Sequence, residues 1–89
     1  MRFMVDWLPP AIADLARLWT GNVPLRQAIN DAAERIDLEL AEDAHLKGVA
    51  IDNYRALRLS PLVALYSVNL DDRRAWVVQL SLAPPPGKP

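Results

Sequence analysis

The sequence predicts a small α+β domain: an N-terminal strand, a two-helix hairpin and then a three-stranded antiparallel meander, with the sheet packed on the two helices. Residues 2–7 alternate, with Phe3, Val5 and Trp7 on one face and Arg2, Met4 and Asp6 on the other. From Ile12 to Leu40 apolar residues recur every three or four positions. From Tyr54 period-two alternation returns, broken by Ser60-Pro61 and again by Asp71-Asp72-Arg73.

Each element has a local reason. Pro9 and Pro10 suit the start of a helix, where a missing N–H is no loss and the fixed φ is already helical. Ile12, Leu15, Ala16, Leu18 and Trp19 form its apolar stripe, and Gly21 is placed to close it in a left-handed cap. Asn22 is then a candidate N-cap, with Pro24 in the first turn of a second helix whose apolar stripe is Leu25, Ile29, Ala32, Ala33, Ile36 and Leu40. Between Ala41 and Asp52 the periodicity fails, charges cluster and Gly48 appears, which predicts a loop. Strands follow over 54–59, 62–69 and about 74–82, joined by the Ser-Pro turn and a polar hairpin.

The chain has 89 residues, 52% hydrophobic and 24% charged, enough for one core and one domain over residues 1–82. The Pro-rich stretch 83–89 is expected to be an extended or disordered tail. With no cysteine there are no disulfides or thiolate metal sites, and His45 is the single imidazole. His45 beside Glu42 and Asp43 brings metal-ligand types together, but one imidazole in an acidic loop is a weak site, so no metal and no cofactor is expected. A net charge of −1 and a pI near 5.7 give no overall positive field for a polyanion. Asp6 and the two prolines interrupt any secretory apolar stretch, and no run approaches the roughly 18 apolar residues of a membrane span. A cytoplasmic protein without membrane contact is expected.

Strict alternation sorts the strands into two faces. Leu57, Leu59, Leu62, Ala64, Tyr66, Val68, Trp76, Val78, Leu80 and Leu82 are expected toward the helices. Met4, Ala56, Arg58, Val63, Leu65, Ser67, Val77, Gln79 and Ser81 are expected on the opposite face. That second face is also largely apolar, whereas an antiparallel sheet usually turns a polar face to water, so a partner is expected to cover it. Trp7, Trp19 and Trp76 all fall on expected core stripes, which favours packing over a ligand platform.

The order of elements, with Val5-Asp-Trp-Leu-Pro-Pro-Ala-Ile-Ala-Asp-Leu15 at its start and Tyr54-Arg-Ala-Leu-Arg-Leu-Ser-Pro-Leu-Val-Ala-Leu-Tyr66 in the hairpin, resembles the RelE/ParE superfamily of toxins from type II toxin–antitoxin systems. The similarity covers about residues 2–82. It implies a toxin fold whose open sheet face binds either ribosome-bound mRNA, as in RelE-like ribonucleases, or the tail of a cognate antitoxin; ParE-like members block DNA gyrase. Position by position, Arg58 matches a basic position near the end of the strand 54–59. Tyr54 and Ala56 stand where lysines are usual in RelE-like enzymes, Val63 where an arginine commonly follows the turn, and Ala83-Pro-Pro-Pro where a basic segment would follow the last strand.

What the resemblance implies is therefore a toxin or toxin-like component that acts by protein–protein binding, with a cognate antitoxin as partner. The partner-binding candidates are Met4, Arg55, Arg58, Val63, Leu65 and Val77. Two alternatives stand beside it. One is a ribosome-dependent mRNA endoribonuclease with a rearranged basic site, for which Arg58 and Arg55 are the catalytic candidates, with Arg73 and Arg74 adding charge, and RNA or the ribosome the partner. The other is a non-toxic module on the same fold that forms a homodimer.

Overall fold

The computed structural model describes residues 1–84. Strand β1 (Met4–Trp7) leads into helix α1 (Pro9–Gly21), a single 3-10 turn (Val23–Leu25) and helix α2 (Arg26–Leu40). A second 3-10 turn (Ala44–Leu46) precedes β2 (Val49–Ile51), β3 (Tyr54–Leu59), β4 (Leu62–Asn69) and β5 (Arg74–Leu82). The sheet order is β1-β5-β4-β3-β2, with β1 parallel to β5 and the other neighbours antiparallel. Because β1 and β5 are adjacent and parallel, the chain between them must cross over, and both helices of that crossover lie on one face of the sheet.

The expected class is found, with one strand more than the sequence reading allowed. Val49-Ala-Ile51, read as loop, pairs with β3 as an edge strand, turning through Asp52-Asn53 with Asp52 at φ 53°. Gly48 enters it at φ 66°, and a Cβ there would sit 2.3 Å from the Ala56 carbonyl oxygen. Only glycine permits that approach.

The core is built from Ala11 and Leu18 of α1, Ile29, Ala32, Ile36 and Leu40 of α2, and Leu62, Ala64, Tyr66, Ala75, Val77 and Leu80 of the sheet. The stripe of α2 is as expected except for Leu25, which lies in the 3-10 turn and is exposed. In α1 Ala11 and Leu18 are buried and Leu15 is partly buried against the core, leaving Ile12 54% and Trp19 38% exposed. Trp19 instead carries the Arg26 guanidinium over its ring at 3.9 Å, which joins the two helices from outside. Gly21 stays within α1 and has no left-handed cap; Asn22 ends the helix by donating its side-chain amide to the Leu18 carbonyl at 2.8 Å, and it does not cap the next element.

The largest correction lies in β5. Leu65 pairs with Gln79 but Tyr66 pairs with Val77, so Val78 is an extra residue that forms a bulge. An extra residue reverses the facing of everything on one side of it. Ala75 and Val77 therefore join the buried face and Trp76 moves to the open one, while Leu80 keeps its expected place.

Two features fix the first strand. Phe3 N–H bonds to the Ala41 carbonyl at 2.8 Å, Asp43 N–H bonds to the Met1 carbonyl at 2.8 Å, and the Met1 ammonium meets Asp43 at 2.7 Å. On the other side the Trp7 indole Nε1–H donates to Asp37 of α2 at 2.6 Å. Of the tail, Ala83 N–H bonds to the Pro61 carbonyl at 2.7 Å, and residues 85–89 lie outside the described residues.

Candidate functional site

The sheet face away from the helices is the candidate site. Register places Ala56 beside Leu65 and Arg58 beside Val63, then Leu65 beside Gln79, Val63 beside Ser81 and Ser67 beside Trp76. Met4 and Asp6 extend the same face on β1, next to Arg74 and Trp76. Val49 pairs with Ala56 and Ile51 with Tyr54, so β2 widens it at the far edge. Its middle is apolar: Ala56, Val63, Leu65 and Trp76 are each only half-buried, and Met4 is 59% and Val49 68% exposed.

Its charges are few. Arg74 donates to Asp6 at 2.8 Å, which neutralises one end. At the other, Arg58 is exposed and its Nη2 donates to the Pro84 carbonyl at 2.8 Å. Among the described residues no carboxylate pairs with Arg58. Such a face can bury an apolar segment and hold one anionic group. Among the described residues it does not gather the several converging cations that stabilise a phosphoryl transition state.

Met4, Arg58, Val63 and Leu65 thus share the open face, and two of the six partner-binding candidates do not. Val77 is fully buried under α1, because the bulge at Val78 turns it inward. Arg55 is an odd number of residues from Arg58 and points to the helix side, where its Nε donates to the Lys47 carbonyl at 2.6 Å and its Nη2 reaches the Gly48 carbonyl at 3.4 Å. Those bonds fix the loop into β2. Arg73 lies in the β4–β5 turn at φ 54°, away from Arg58. Sequence reasoning missed Trp76, Val49 and Ile51 as open-face residues. The β-branched pair after Gly48 was a visible strand signal, whereas nothing in Trp76-Val-Val marks a bulge.

On the helix side, Tyr66 is fully buried, as its alternation implied, with its hydroxyl 2.9 Å from the Ala44 and 2.7 Å from the Lys47 carbonyl. Burial pushes its phenol above the ordinary value, and Arg55 offsets part of the rise. Asp14 of α1 accepts the Leu80 N–H at 3.0 Å and Arg17 at 3.0 Å, and these bonds, the backbone one first, hold its carboxyl below the usual range. Leu80 lies beyond the end of β1, so Asp14 covers a sheet edge that has no strand beside it. The hydrogen bond from the Met1 ammonium lowers Asp43 in the same way.

The acidic loop does not converge on His45. Asp43 is engaged by the N-terminus, and the imidazole packs 5.4 Å from the Phe3 ring with Nδ1 buried and unpartnered. Among the described residues no three His, Cys, Asp or Glu side chains gather into a metal-ligating group, and no helix is long and apolar enough to cross a membrane.

This fold, two helices on one face of a five-stranded sheet, is similar to that of solved chains from ParDE and RelBE toxin–antitoxin systems and of the RelE toxin. The chain is similar to a chain of the chromosomal ParDE toxin–antitoxin system of P. aeruginosa, with a TM-score of 0.76 and 20% identity over 93% of this chain and 98% of that one. It is similar to a chain of the RelBE2 toxin–antitoxin complex of Mycobacterium tuberculosis, with a TM-score of 0.73 and 13% identity over 93% of each. The isolated E. coli RelE toxin aligns at a TM-score of 0.55 and 16% identity, over 94% of this chain and 86% of that one. No family model and no curated protein matches the chain.

Proposed function

We propose that the chain is the toxin or toxin-like component of a type II toxin–antitoxin pair, and that it works by binding polypeptides, its antitoxin first, on the open face of the sheet. The observation that carries this reading is the half-buried apolar strip Ala56, Val63, Leu65 and Trp76, which lies on the face that neither helix covers. A contiguous apolar surface is costly to leave in water and marks an interface in a folded domain. An extended or helical segment laid across it would fill the strip with alternate or i, i+3/i+4 side chains. The solved proteins that share the fold include toxin–antitoxin complexes, which supports the same assignment. A cytoplasmic location follows from that role.

Binding is favoured over RNA cleavage because, among the described residues, the face carries Arg58 and an Arg74 already matched by Asp6, not a cationic cluster. Inducible expression with and without the product of an adjacent small gene tests the proposal. Growth arrest with intact mRNA, relieved by a co-purifying neighbour, is the expected result. Mapped mRNA cleavage, or no growth effect together with a stable homodimer, would overturn it in favour of the ribonuclease or the dimerising module.

A further inference from the structure

We propose that Arg58 is the carboxylate anchor of the open face, and that the Pro84 carbonyl holds its place until a carboxylate from the partner polypeptide displaces it. The inference rests on the reading of that face as a polypeptide-binding surface and adds the chemistry of the partner. Arg58 stands beside Val63 at the rim of the apolar strip. Its Nη2 makes one bond, 2.8 Å, to a neutral carbonyl of its own chain. Arg74, the other cation of the face among the described residues, already has a carboxylate at 2.8 Å.

A guanidinium offers parallel N–H groups that match the two oxygens of a carboxylate, so a carboxylate brings a second bond and an opposite charge that a single neutral carbonyl does not supply. Exchanging the Pro84 carbonyl for a carboxylate therefore favours the newcomer. Pro84 has no N–H to donate, and among the described residues the segment is held at its root by the 2.7 Å bond from Ala83 N–H to the Pro61 carbonyl. A phosphodiester chain is the poorer occupant, because it needs several cations in a row and, among the described residues, Arg58 stands on this face beside Val63 and Ala56, with Ser81 beyond Val63.

The test uses the full chain and follows the Arg58 side-chain Nε–H signal by NMR during titration with acetate, with acetamide, and with a single-stranded oligoribonucleotide. Ala83→Pro, which removes the donor to Pro61 without adding charge, is compared with the unaltered chain. Acetate is expected to shift the signal at a concentration roughly threefold lower in Ala83→Pro, while acetamide leaves it unmoved. An unchanged midpoint, equal shifts by acetamide, or a shift by RNA at lower concentration than acetate would overturn the proposal.

A second arm measures affinity for the co-purified partner. Arg58→Gln is expected to weaken binding roughly tenfold and to flatten its salt dependence, with Arg58→Lys recovering part of the loss. A partner that binds Arg58→Gln as tightly as the unaltered chain would sink the anchor yet leave the open-face reading standing. If Leu65→Glu leaves partner binding intact while acetate still shifts Arg58, the open-face reading fails and the carboxylate site survives.

Discussion

Arg55 and Tyr66, cross-strand partners on β3 and β4, converge on one carbonyl: Lys47 O accepts from Arg55 Nε at 2.6 Å and lies 2.7 Å from the Tyr66 hydroxyl. The arginine that sequence reading placed at the interface thereby holds the turn 44–48, which carries Gly48 and leads into β2. Tyr66→Phe removes the hydroxyl from two carbonyls that each keep another donor, Arg55 for Lys47 and the Lys47 N–H for Ala44, so it is expected to cost about 1 kcal/mol. Urea unfolding should show a lower midpoint with an unchanged slope.

The same hydroxyl makes stability alkali-sensitive. The folded phenol is raised above its unfolded value, chiefly by burial, so the unfolded chain gives up this proton first. Stability from this group is complete below the unfolded value of about 10 and is lost as pH rises through the folded one. The unaltered chain should lose stability more steeply above about pH 10 than Tyr66→Phe does, as read from melting temperature against pH.

Asp14 works in the opposite direction. Its folded carboxyl is depressed by the Leu80 N–H and by Arg17, so its contribution is present above the unfolded value of about 4 and fades as pH falls through the folded one. Asp14→Asn should flatten the acid limb of the stability profile. Asp14→Ala should raise the exchange rate of the Leu80 amide, which then has no acceptor on the uncovered side of β5, and hydrogen exchange at that single amide is the measurement.

Gly48→Ala should be severe for a glycine substitution on the surface. The residue is at φ 66° and its new Cβ would lie 2.3 Å from backbone oxygen, which no rotamer can relieve. A loss on the order of 3 kcal/mol is expected, with β2 detaching from β3. Thermal unfolding gives the magnitude, and exchange at Val49–Ile51 tells whether the edge strand is what is lost.

Much of this fold is legible in the residues. The strand pattern of Leu62–Asn69 needs only period two, and the line Ile29, Ala32, Ile36, Leu40 needs only period 3.6; both faces come out as read. Three features were hidden for different reasons. Asn22 could serve either helix end, and the i−4 carbonyl of Leu18 was the nearer partner. Ile12 and Trp19 compete with Ala11 and Leu18 for the buried side of α1, and periodicity alone does not say which of two adjacent apolar lines turns inward; Ala11 and Leu18 do. The bulge at Val78 depends on the pairing between β4 and β5, a non-local matter that no window of β5 alone contains. The open face was legible in β3 and β4 because their alternation runs unbroken, and it failed at Val77 because that of β5 does not.

That last difference separates two valines that alternation alone would treat alike. Val77 is fully buried beneath α1, whereas Val63 and Leu65 are half-buried on the uncovered face. Val77→Ala should therefore cost roughly 2 kcal/mol through the cavity it leaves. Leu65→Glu replaces an apolar group that already touches water, so its cost should stay within about 1 kcal/mol, and it should lower partner affinity at least tenfold by burying a charge within the strip. Chemical denaturation and titration of the co-purified partner on the two variants read both quantities. Equal stability losses would mean that the bulge does not exist in solution, and unimpaired binding by Leu65→Glu would move the interface off this face.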